Sequence, residues 1–125
     1  MSKKPIILVV DDAPANLQLC KGLLGDEFDV RLAKSGKMAL DALKKVHPDV
    51  ILLDIEMPDM SGFEVMEEMN KNPDFGDISV IFVTSHATEK LVVKAVESGA
   101  VGYVVKPFDV SVLRTKIQDA LNVKC

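Results

Sequence analysis

Ile6-Ile7-Leu8-Val9-Val10-Asp11-Asp12 is the stretch that decides the fold. Its apolar residues run without alternation, are mostly β-branched, and stop at two adjacent carboxylates. Continuous apolar character points to a strand buried on both faces, as in a parallel sheet. Val50-Ile51-Leu52-Leu53 behaves the same way and ends at Asp54, and Val80-Ile81-Phe82-Val83 ends at Thr84-Ser85. Asp29 to Ala33 and Gly102 to Val105 read as weaker strands nearer an edge, the second followed by Lys106-Pro107.

Helical periodicity fills the intervals. Leu17, Cys20 and Leu24 share a face after a start at Pro14, and Ala39, Leu43 and Val46 share the next. Phe63, Met66 and Met69 form a third stripe after Gly62. Leu91, Val92, Ala95 and Val96 form a fourth, with Gly99 placed as a C-terminal stop. Leu113, Ile117, Ala120 and Leu121 form a fifth, capped by Asp109 or Ser111. Strands alternating with helices imply right-handed βαβ units and an open, doubly wound α/β sheet with helices on both faces.

The chain has 125 residues, the size of one domain, and no repeat or linker divides it, so residues 1–125 are expected to form a single domain. With 48% hydrophobic and 27% charged residues it reads as globular rather than disordered. A net charge of −4, from 15 basic and 19 acidic residues, argues against direct nucleic-acid binding. No apolar run is long enough to span a membrane, and the Met1-to-Val10 segment ends in carboxylates, unlike a signal peptide. Cys20 and Cys125 form no CxxC pair, which suits a reduced, cytoplasmic setting. Cys20 is expected to pack in the first helix, and the methionines to pack in the core. His47, before Pro48, reads as a loop residue.

In doubly wound sheets, ligands bind outside the carboxyl ends of the strands. There the sequence gathers Asp11, Asp12, Asp54, Thr84, Ser85 and Lys106. Clustered carboxylates repel one another, so a raised pKa or a bound cation is required. Oxygen donors without His or Cys favour Mg²⁺, with Mn²⁺ as a substitute. A lysine and a hydroxyl opposite such an ion suit phosphoryl transfer to a carboxylate. A flavodoxin-type cofactor loop or a dinucleotide fingerprint is not present, since Asp11-Asp12-Ala13-Pro14 follows the first strand in place of a glycine- or hydroxyl-rich turn. A phosphatase with its nucleophile on the first strand would carry a second acid two residues later; here the acids are adjacent.

Val9-Val10-Asp11-Asp12, Leu53-Asp54-Ile55-Glu56-Met57-Pro58 with Gly62, Val83-Thr84-Ser85, Gly99-Ala100 with Tyr103, and Lys106-Pro107-Phe108 together resemble the receiver domain of bacterial response regulators, the CheY-like family. The resemblance runs from about residue 6 to about residue 121. It implies a flavodoxin-like fold with strand order 2-1-3-4-5 and five helices. It further implies that Asp54 is the phosphoacceptor and that Asp12 binds Mg²⁺ directly, with Asp11 acting mainly through water. Asp54 and the Glu56 carbonyl would complete the metal shell. Thr84 and Lys106 would hold phosphoryl oxygens, and the Lys106-Pro107 bond would be cis. Thr84 and Tyr103 would act as the switch, Tyr103 turning inward as Thr84 moves. Glu56 and His86 occupy the positions that tune phosphoryl lifetime: Glu56 orients or repels a hydrolytic water, and His86 reaches the phosphoryl group or faces solvent.

By the same resemblance, a sensor histidine kinase or a histidine phosphotransfer protein supplies the phosphoryl group, docking near Pro14 to Leu24. The response would appear on the face made by the fourth helix, fifth strand and fifth helix. That face would control an output domain or effector protein, or form a phosphorylation-dependent homodimer with Lys90, Lys94 and Asp109 as polar contacts. The chain itself would be a signalling phosphoacceptor that catalyses its own phosphorylation and dephosphorylation rather than a conventional enzyme. The alternative is a receiver that docks independently of phosphorylation. The Asp11-to-Leu17 opening resembles receivers of cyclic-dinucleotide and hybrid-kinase proteins.

Overall fold

The computed structural model describes residues 4–107 and 109–123; Phe108 and Cys125 lie outside the described residues. Ten main elements alternate: β1 (Ile6–Val10), α1 (Pro14–Leu24), β2 (Asp29–Ala33), α2 (Gly36–Leu43), β3 (Val50–Asp54), α3 (Gly62–Asn70), β4 (Ser79–Thr84), α4 (Glu89–Glu97), β5 (Gly102–Val105) and α5 (Val110–Val123). A short 3₁₀ turn, Pro73–Phe75, separates α3 from β4. All strand pairings are parallel, in the order β2-β1-β3-β4-β5. The α/β, flavodoxin-like architecture expected from the sequence is therefore present.

The strand side chains divide by parity, because successive residues point to opposite faces. Leu8, Val10, Ile51, Leu53, Val80 and Phe82 join Ala39, Leu43, Phe63, Val65, Met66 and Ala95 in one core, under α2, α3 and α4. Ile7, Val9, Val50, Leu52, Ile81 and Val83 join Leu17, Cys20, Leu24, Leu113 and Ile117 in the other, under α1 and α5. Every residue of β3 and β4 is buried, whereas the edge strands β2 and β5 are only partly so. That difference is the physical origin of the strong and weak apolar runs.

Local chemistry sets the helix ends. Pro14 opens α1; Ser35 caps α2, Ser61 and Glu64 form a reciprocal capping box on α3, and Thr88 caps α4. Asp109 accepts hydrogen bonds from the N–H groups of Ser111 and Val112, which decides between the two predicted caps of α5. Gly99 takes φ +100° just beyond α4, the left-handed conformation that glycine adopts without strain.

Two helix stripes differ from expectation. Val46 lies beyond the end of α2, and Val96 is 66% exposed although it shares the predicted apolar face of α4. Ala95 is the fully buried residue of α4, with Leu91 packed partly buried against the same core, and Val93 and Val96 are left to solvent.

The β3–α3 connection is tied to the sheet by Gly62. Its N–H donates to the Ile55 carbonyl at 3.0 Å, and a Cβ placed there would lie 2.4 Å from the Asp54 carbonyl oxygen. The obstacle is backbone and cannot rotate aside. Gly62→Ala is expected to destabilise the fold by about 1–3 kcal/mol, read from the midpoint of urea denaturation; an unchanged midpoint would refute this account of the loop.

Candidate functional site

The register of the parallel ladder brings the candidate residues to one end. Val10 pairs with Leu53, Asp54 with Val83 and Thr84 with Val105. Asp11, Asp54, Thr84 and Lys106 therefore emerge from four neighbouring strands at the carboxyl edge. The sequence placed Asp54 and Thr84 just past their strands; they are the last ladder residues, each 2% exposed. Together with Asp12, Glu56, Ser85 and His86, Asp11, Asp54 and Lys106 line a cleft of about 170 Å³.

One cation serves two carboxylates here. Lys106 Nζ donates to Asp54 Oδ2 at 3.1 Å and lies 3.0 Å from Asp11 Oδ2. The Glu56 N–H donates to Asp54 Oδ1 at 3.2 Å. Asp11 is fixed by the Ala13 N–H on Oδ1 at 2.8 Å and by Asn16 Nδ2 on Oδ2 at 3.2 Å. Asp11 thus orders the start of α1, where no side chain of Ala13 could do so. The Lys106–Pro107 peptide is cis, as the resemblance implied.

Thr84 belongs to a separate part of this network. Its hydroxyl donates to Glu56 Oε1 at 2.7 Å and accepts from the His86 N–H at 3.0 Å. The His86 ring is exposed, while its backbone is what the site uses. Tyr103 is half-buried beside the α2–α4 core, on the strand position paired with Phe82. Asn16 and the Glu56–Thr84 bond were not foreseen from sequence: Asn16 is separated from Asp11 by the turn into α1, and Glu56 from Thr84 by a whole α3–β4 passage.

Burial decides the electrostatics of Asp54. Removal from water pushes its carboxyl up from 3.8 to about 6, against the opposing pull of Lys106, and the Asp11 charge adds to the rise. For Lys106 burial alone would lower the pKa, but its bonds to Asp11 and Asp54 outweigh that and hold it above the ordinary range. Burial also pushes the Cys20 thiol up to about 11, with Asp11 contributing, so this cysteine packs as an inert apolar group.

Ligand atoms of Asp11, Asp12 and Asp54 lie within 4.8 Å of one another, Asp12 being the exposed member. An all-oxygen donor set with an open side fits a hard divalent cation that keeps some of its waters. Two of the three acids already share one ammonium, so a second positive charge is electrostatically favoured.

The fold agrees with that of known proteins. The model of the response regulator receiver domain matches residues 7–118. This chain belongs to that family. A probable cyclic di-GMP phosphodiesterase of Vibrio cholerae is 38% identical over 118 residues, covering 94% of this chain and 27% of that protein. The signal transduction histidine-protein kinase BarA of Escherichia coli is 38% identical over 104 residues, covering 82% of this chain and 11% of that protein. The chain thus spans about a quarter or less of these relatives. The crystal structure of the chemotaxis protein CheY4 of Vibrio cholerae superposes with a TM-score of 0.90 at 28% identity, covering 94% of this chain and 99% of that one.

The sign of the pH effect follows from the Asp54 shift. The folded state binds its proton more tightly than the unfolded chain, whose carboxyl sits near 3.8. Ionised Asp54 therefore costs stability at neutral pH, and the cost disappears as pH falls through about 6 toward 3.8. Without divalent ions, Asp54→Asn is expected to raise the melting temperature at pH 7.5, to keep roughly half of that advantage at pH 5 and to lose most of it near pH 4. A gain that is constant with pH would contradict the assignment. In the same metal-free protein, Lys106→Met is expected to move the Asp54 carboxyl titration, followed by carbon NMR, roughly one pH unit higher.

Proposed function

We propose that this receiver accepts a phosphoryl group on Asp54 from a phosphohistidine of a sensor histidine kinase or histidine phosphotransfer protein. The observation that carries the proposal is one buried carboxylate at the cleft floor, bonded to Lys106 and flanked by the acids of Asp11 and Asp12. A carboxylate oxygen of Asp54 attacks phosphorus, the P–N bond breaks, and its electron pair stays on the imidazole nitrogen. Asp54 is ionised near neutral pH and desolvated, two properties a nucleophile needs. Lys106 shifts part of its bonding to the incoming oxygens, and the Thr84 hydroxyl donates to another, so the protein's contribution is positioning and charge. Asp11, Asp12, Asp54 and the Glu56 carbonyl would hold Mg²⁺, with Mn²⁺ as substitute; when bound, this ion neutralises charge on the transferring group. Hydrolysis of the aspartyl phosphate returns the carboxylate, with the exposed Glu56 and His86 lining the cleft.

The new group adds about −1.5 to −2 of charge beside Thr84. Thr84 and Tyr103 are the switch: both lie on strands that carry α4 and α5, and Tyr103 packs at the margin of the α2–α4 core. The α4–β5–α5 face exposes Val93, Val96, Val105 and Val112. An apolar surface of that kind suits docking to an output domain, an effector or a second copy. Lys94, a candidate contact there, lies 4.5 Å from the centre of the Phe63 ring, so it also helps to seat α4. Receipt of phosphoryl groups from such kinases places the chain in the cytoplasm; among the described residues no helix is long and apolar enough to cross a membrane.

Intact-mass spectrometry with Mg²⁺ and a small acyl-phosphate donor tests this reading. One added phosphoryl group is expected, prevented by EDTA and not seen with Asp54→Asn. A folded, metal-loaded protein that forms no adduct with small donors or with a phosphohistidine protein would leave a phosphorylation-independent docking receiver as the better account.

A further inference from the structure

Thr84 has one hydroxyl proton, and two acceptors lie within reach: Glu56 Oε1 at 2.7 Å and the His86 carbonyl at 3.2 Å. The shorter contact, to a carboxylate, takes it. The acceptor side of the same hydroxyl is taken by the His86 N–H at 3.0 Å. Thr84 is 2% exposed, so water does not replace either partner cheaply. A phosphoryl group on Asp54 offers acceptor oxygens and needs that same proton. We propose that the Glu56 carboxylate is a latch: it competes with the phosphoryl group for the Thr84 hydroxyl and so stabilises the unphosphorylated arrangement. Glu56 is in this sense a positioning residue that acts through Thr84. The inference rests on the phosphoacceptor reading of Asp54 and adds to it a side chain that resists switching. It also assigns the Glu56 side chain a task distinct from that of its backbone, whose N–H bonds Asp54.

The test is equilibrium binding of beryllofluoride, a phosphoryl mimic, at saturating Mg²⁺ to folded protein. Glu56→Met keeps the length of the side chain and removes the acceptor; Glu56→Gln removes the charge and keeps an acceptor oxygen. Breaking a charged hydrogen bond corresponds to about a tenfold gain in affinity for Glu56→Met, with Glu56→Gln gaining about threefold or less. In a Thr84→Val background, which has no proton to release, Glu56→Met is expected to change affinity by less than about twofold. The free protein gives an independent readout: Glu56→Met should shift the Thr84 methyl resonance without any ligand, while the melting temperature reports the fold. Equal gains for Gln and Met, or a gain that survives in Thr84→Val, would show simple charge repulsion and overturn the latch. So would unaltered affinity in Glu56→Met. Wild-type protein that binds Mg²⁺ but no beryllofluoride would instead overturn the phosphoacceptor reading, and the latch with it.

Discussion

Burying both faces of the central strands leaves their ends as the place where ionisable side chains are tolerated. β1, β3 and β4 each sit between two cores, so a charge inside any of them would be stranded without water. The parallel arrangement then sends every carboxyl end the same way. Asp11, Asp54, Thr84 and Lys106 converge because the sheet permits polar groups at that edge and the ladder register levels the strand ends. The cleft is thus a consequence of how the core is buried, and α1 adds Asn16, which bonds Asp11 from the first turn of that helix.

The cluster holds more negative charge than the protein neutralises. Lys106 bonds two of three acids and leaves Asp54 with a carboxyl near 6, ionised but poorly compensated. Such a site favours a further cation. The same tension separates two tasks. Asp11 and Lys106 balance the acids, whereas Thr84 is held by Glu56 and the His86 backbone, one strand farther along. A hydroxyl with a single proton and two acceptors within reach has two alternative hydrogen-bonded arrangements.

Packing is uneven around Thr84. The β3–α3 loop is tied down by Gly62 against backbone, and Gly36 has room for no side chain because Val65 and Met60 fill the space. α4 is held differently, through Ala95, the Lys94–Phe63 contact and an Asn70 bond to the Ser98 carbonyl. Its outer valines face solvent. A closely packed loop around the acids thus stands beside a helix with an exposed apolar outer side.

Much of this was legible in the chain itself. Unbroken apolar runs identified strands buried on both sides, the weaker runs identified the edges, and the residues that ended each run named the acids, the hydroxyl and the lysine. Periodicity and burial are local properties of sequence, so they survive without coordinates. Val96 shows the limit: its spacing marks it as part of an apolar face, but whether that face is covered depends on how far α4 rests on the sheet. Hydrogen-bond partners are likewise decided by three-dimensional proximity. Asn16 reaching Asp11, one lysine shared between Asp11 and Asp54, and Glu56 holding Thr84 join residues brought together by turns and crossovers. The sequence alone determined which chemical groups stand at the carboxyl edge; the tertiary structure decided which of them touch, because side-chain pairing depends on the register and loop paths that folding sets.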